Sequence, residues 1–197
     1  MTMKKDFNGS KFKLFFSYIT PYKGMFALDM ILATIVSGID LAFPYVTRMT
    51  MYSLLPNNVF GTFFAVMGIL LGAYVLKAIL YYFVVFVGHY VGVKAEADMR
   101  RDLFSHMQEL SYSFYDKNRT GKLLARVTTD LFEITELAHH GPENVLTCSL
   151  TIIGAIVILM HINVTLAMVL VILLPICIGF LLWSRKRLQQ ANVKVKQ

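Results

Sequence analysis

Ionisable side chains inside apolar stretches are where this chain is best placed to do chemistry. A charge in a bilayer is costly and is retained where it pairs or meets a solute. Asp29, Asp40 and Lys77 are of this kind. Asp29 lies about 6 Å into the first apolar stretch, and Lys77 stands toward the far end of the second. If the second stretch protrudes, the two reach similar depth, and an Asp29–Lys77 pair across antiparallel helices is expected. The competing reading has Lys77 snorkelling to the interface alone. Asp40, about 22 Å along the first stretch, would line a pathway for cationic solutes or cap backbone unwound near Pro44. Phe43, Tyr45, Tyr74, Tyr81 and Tyr82 suit either a solute cavity or ordinary packing and lipid contact.

Other chemistries do not assemble. His139 and His140 are adjacent, so on a helix they point about 100° apart and chelate poorly together; they read as interfacial histidines, and no metal site is expected. Cys148 and Cys177 fall in apolar stretches and read as reduced thiols. No G-x-x-x-x-G-K-[ST] phosphate loop occurs; Gly88–Lys94 has the wrong spacing. No Ser/His/Asp constellation is visible. The glycosylation sequon at Asn163 is too close to an apolar stretch to weigh heavily, and the one at Asn118 falls on the basic side.

These residues must be positioned by membrane helices. The chain has 197 residues, 56% of them hydrophobic and only 16% charged. That is too apolar for a soluble domain, and 12 Gly, 5 Pro and 2 Cys exclude a collagen-like, disordered or disulfide-built chain. Four stretches, at about 25–46, 60–87, 142–162 and 164–183, are long enough to cross a bilayer. No cleavable signal peptide is evident. Apart from Arg48 and Lys77, every Lys and Arg falls before the first stretch, between the second and third, or after the fourth. The positive-inside rule then places both termini and the middle segment in the cytoplasm. The net charge of +7 reads as topology, with lipid and not nucleic acid as the partner. Within residues 1–24, Phe12–Tyr22 suits an elbow helix in the membrane surface, broken from the first span at Pro21 and Gly24.

The middle segment, about 91–141, reads as a helical hairpin. Met99, Leu103, Met107 and Leu110 recur at helix spacing, as do Leu124, Val127, Leu131, Ile134 and Ala138. One helix from Phe60 to Leu110 would be roughly 76 Å long, more than twice the hydrocarbon core. Ser111–Lys122 interrupts the pattern, with Thr120 as the expected N-cap of the returning helix and Pro142 expected to kink or restart it. Phe114 and Tyr115 at the tip read either as a docking surface or as packing against the stalk.

Arg101, Leu103, Phe104, Leu110, Phe114, Tyr115, Asp116, Gly121, Arg126 and Asp130, at their fixed spacing, resemble the transmembrane domain of ABC exporters of the multidrug and lipid type. Pro175 in a Leu, Val and Ile run resembles that family's fourth helix. The resemblance covers essentially the whole chain. It implies an all-α membrane protein in the plasma (inner) membrane, with residues 25–197 forming part of a six-helix domain. It also implies that Phe114, Tyr115, Asp116 and Gly121 couple to nucleotide-binding domains. Arg101, Arg126 and Asp130 would stiffen the hairpin. A second transporter half, identical or not, would complete a dimer, and ATP and Mg would be bound outside this chain. The departure is that two spans and the nucleotide-binding domain are missing, so the chain reads as a fragment without ATPase activity of its own. The alternative is a self-contained four-span module whose hairpin docks a cytoplasmic partner.

Overall fold

The computed structural model describes residues 16–195. Among them there are helices and turns and no strand. Residues 16–19 are helical, and Thr20–Tyr22 forms a 3-10 turn. Helix α1 follows directly, Lys23–Ser53. Pro21 and Gly24 therefore do not interrupt the helical run, because a proline at the start of a tight turn has no helical N–H to lose. Residues 12–15 of the expected elbow lie outside the described residues.

Helix α1 carries Pro44 internally. Thr34, Ser37 and Thr50 return their hydroxyls to the carbonyls of Met30, Ala33 and Val46 at 2.7–2.9 Å. Such self-satisfaction is what an apolar surrounding demands of a polar side chain. After α1 the chain turns through 54–59, where Asn58 takes a left-handed φ of 59°, a conformation Asn tolerates. Helix α2, Phe60–Gln108, runs 49 residues without a break, roughly 73 Å. So short a connection makes α1 and α2 antiparallel neighbours. Their partners fall in one register: Tyr18 meets Asp102, Tyr22 meets Asp98, Asp40 meets Lys77, and Phe43 meets Tyr74.

Two short helices form the tip, α3 (Tyr112–Lys117) and α4 (Thr120–Ala125). Arg119, not Thr120, holds the N-cap position of α4, and no side-chain bond caps it. Arg126–Asp130 winds as a π-helical turn and leads into α5, Leu131–Ile162. Helix α5 continues through Pro142 and does not restart there. Helix α6 is Val164–Val195, with Pro175 inside it. The Asn163 side chain accepts from the amides of Thr165 and Leu166 at 2.9 and 3.3 Å, capping α6.

Four helical runs are long and apolar enough to cross a membrane. The chain divides into two compact units, Met1–Ser149 and Leu150–Gln197. The buried core of the first follows the α1–α2 seam. Ile19 packs on Val91, Ala33 and Val36 on Val84, and Tyr18 on Met99 and Leu131.

Candidate functional site

Three groups of residues are built onto this frame. The first is the hairpin tip. Phe114 and Tyr115 are half-buried with rings edge to face, 5.6 Å between centroids, while Tyr112 beside them is 92% exposed. The Tyr115 hydroxyl donates to the Met107 carbonyl, tying α3 back onto the end of α2. Asn118 Nδ2 donates to the Phe114 carbonyl at 2.9 Å. Asp116 is exposed. Gly121 lines an apolar cavity of about 340 Å³ between the limbs, with Phe104, Met107, Leu123, Leu124 and Val127.

Between the limbs of the hairpin a side-chain contact comes from a residue that the motif did not single out. Arg100 pairs with Glu96 on its own helix and donates through Nε to the Val127 carbonyl at 3.4 Å, crossing from α2 to the π turn. Arg101 stays on α2, 3.5 Å from Asp98. Among the described residues no ion pair joins Arg126 to Asp130. Both lie in the π turn, where bonding shifts to i→i+5 and the i,i+4 stacking of an α-helix is lost.

The second group is a polar seam along α1 and α2. Tyr18 donates to Asp102 at 2.9 Å and Tyr22 to Asp98 at 2.8 Å. Deeper in, Lys77 pairs with Asp40 and stands 5.1 Å from the centre of the Tyr74 ring. The expected Asp29–Lys77 pair is not formed. In the antiparallel register Asp29 faces Gly88, eleven residues from Lys77 and roughly 16 Å along the axis. Asp40 is thus an ion-pair partner, and α1 is not unwound at Pro44. Tyr74 packs in the seam, 4.5 Å from Phe43 between ring centroids, while Tyr45, Tyr81 and Tyr82 are exposed.

The third group is one that sequence reasoning set aside. His139 is 1% exposed, packed against Gly88 and Gly92 of α2. Its Nε2 lies 3.1 Å from Nδ1 of His89, and its Nδ1 lies 3.2 Å from the Thr135 carbonyl. His140 is flanked by Glu136 and Glu143 at 3.6 and 3.5 Å. Two glycines four apart at 88 and 92, on a helix facing a histidine, were the available signal. Cys148 and Cys177 are free thiols.

An all-helical frame with four membrane-length helices and a long two-limbed hairpin defines a class of multi-pass membrane proteins. Residues 26–197 match the family described as ABC transporter transmembrane region. The chain belongs to that family. It is 40% identical over 177 residues to an uncharacterized ABC transporter ATP-binding protein of Bacillus subtilis, YwjA, covering 90% of this chain and 31% of that protein. It is 25% identical over 172 residues to a putative multidrug export ATP-binding/permease protein of the same organism, YgaD, covering 83% and 29%. An ATP-dependent lipid A-core flippase of Nitrosococcus oceani is 21% identical over 180 residues, covering 91% and 30%. The chain spans about a third of the length of these curated relatives.

Proposed function

We propose that this chain forms the membrane-spanning part of an ATP-driven exporter, with the α2–α5 hairpin as the lever that carries motion into the membrane. The observation that carries this reading is the length of α2. A rod of 49 residues exceeds any bilayer, and its far end carries the half-buried aromatic pair Phe114 and Tyr115 on short helices braced against the stalk. A braced aromatic tip on a rigid rod transmits displacement; a loose loop would absorb it.

In this reading the hairpin and both termini face the cytoplasm at the inner membrane, which the placement of the basic clusters supports. Phe114, Tyr115, Asp116 and Gly121 seat on nucleotide-binding domains, which hold ATP and Mg. The chain itself carries no phosphate loop. A second half completes the dimer, and the two rock as rigid bodies between inward- and outward-facing states. Relatives named for multidrug export and for lipid A-core flipping support drugs and lipids as the substrate class. Asp40, neutralised by Lys77, borders the pathway as a polar point in an apolar wall.

The test is Phe114→Ala with Tyr115→Ala in the full-length protein. Transport should fall roughly tenfold or more, as for a hot-spot pair, while ATP hydrolysis persists. Unchanged transport sinks the assignment of the tip.

A further inference from the structure

We propose that His89, His139 and His140 form a binding site for a divalent transition-metal ion, of which zinc is the representative, joining α2 to α5 at the base of the hairpin. This inference stands apart from the transport reading.

The donor geometry comes first. One ring nitrogen from each histidine lies within 4.8 Å of the other two. The His89 Nδ1 to His139 Nε2 separation is 3.1 Å. Zinc–imidazole bonds of about 2.0–2.1 Å place two ligand nitrogens roughly 3.3 Å apart on a tetrahedron. These two nitrogens are thus already at ligand spacing. His89 is exposed and His140 half-buried, so both rings are free to turn the short remaining distance. Adjacent histidines chelate poorly alone, but a third from another helix supplies the missing direction.

The tautomer is set correctly. A carbonyl can only accept, so the contact of Thr135 O with His139 Nδ1, at 3.2 Å, puts the proton on that nitrogen and leaves the Nε2 lone pair facing His89. A backbone carbonyl behind the far nitrogen is the usual support of a metal-bound imidazole. Glu136 and Glu143 flank the two ring nitrogens of His140, so whichever nitrogen binds the metal, the carboxylate at the other supports it. The three histidines, Glu143 and Asn144 line a cavity of about 340 Å³, which leaves a fourth coordination position open.

A second, independent observation points to a cation. Asp29 is 0% exposed, and among the described residues neither of its carboxylate oxygens has a hydrogen-bond partner. Both oxygens lie 3.6–3.7 Å from where a Cβ on Gly88 would stand, and the His139 ring lies 3.3 Å from the same point. A buried, unpartnered carboxylate is costly unless positive charge lies close by. Three neutral imidazoles around a divalent ion supply it. Imidazole donors select zinc, copper or nickel over magnesium and calcium.

The experiment is equilibrium dialysis of the detergent-purified full-length protein against zinc alone, with cobalt substitution to read coordination from the visible spectrum. The wild type should bind one more zinc per chain than a His89→Gln/His140→Gln double variant, and cobalt should give a tetrahedral spectrum. Each single variant should weaken binding roughly tenfold or more. Gly92→Ala removes no ligand, but its methyl would stand 2.8 Å from His139 Nδ1. It should therefore weaken binding as well, while His161→Gln should leave it unchanged. Equal zinc uptake by wild type and the double variant, both retaining helical circular dichroism, would overturn the site. So would undiminished binding in the two single variants, which change only rings that are not buried.

Discussion

The α1–α2 seam and helix α6 are built from nearly the same apolar alphabet, yet they are specified in opposite ways. Along the seam, buried Ala33, Val36 and Val84 alternate with polar contacts at fixed register, Tyr18 to Asp102, Tyr22 to Asp98 and Asp40 to Lys77. Helix α6 exposes Ile172, Leu173, Ile178 and Leu181, which together go round its circumference, and no described atom lies within 4 Å of where a Cβ on Gly179 would stand. A helix apolar all round is content in lipid or in a larger core and has no preferred neighbour. In hydrocarbon, burial of one apolar side chain against another gains little, so register must come from polar groups and close packing of small residues. Among the described residues the seam has both, whereas on α6 Ala167 alone is buried and no side-chain hydrogen bond reaches another helix.

The comparison is broken most directly by stranding a charge. Asp40→Leu leaves Lys77 alone in an apolar stretch and should destabilise the folded protein by about 2–3 kcal/mol. The double change with Lys77→Leu should recover most of the loss, because both costs are then removed. Unfolding in a mixed-micelle denaturant series, followed by circular dichroism, measures both. Gly92→Ala comes next, at about 2 kcal/mol. The new methyl meets a ring that is 1% exposed and cannot swing away, as overpacking costs of this order reflect.

Tyr22→Phe removes one hydroxyl donor to a partly exposed carboxylate, and a loss of about 1 kcal/mol is expected. The smallest effect sharpens the contrast by its sign. Gly179→Ala in α6 meets no atom, and helix propensity favours alanine by up to about 0.8 kcal/mol. The substitution that harms the seam should leave α6 unchanged or slightly more stable. Harm at Gly179 in the full-length protein would mean that another helix covers that face.

Some of the architecture was legible along the chain. The four apolar runs and the excess length of the second come from composition and periodicity, which depend on neighbours three and four residues away. The partner of Lys77 was misjudged because depth was counted from the ends of apolar stretches. Counting outward from the turn at 54–59 sets Asp40 level with Ala73, one helical turn from Lys77 and within reach of a long lysine side chain, and carries Asp29 well past it. That no ion pair joins Arg126 to Asp130 among the described residues has another reason. The i,i+4 rule presumes α geometry, and a π turn is not announced by residue type.

The sequence by itself determined that this is a helical membrane protein with a long hairpin, because hydropathy and helical repeat are properties of a local stretch. Only the tertiary structure decided that Asp29 is enclosed against Gly88, that Arg100 crosses the hairpin, and that His89 joins His139 and His140 from fifty residues away. Those contacts depend on the axial register and rotation of one helix against another. A shift of one residue, about 1.5 Å and 100°, would dissolve every one of them without changing the pattern of either helix.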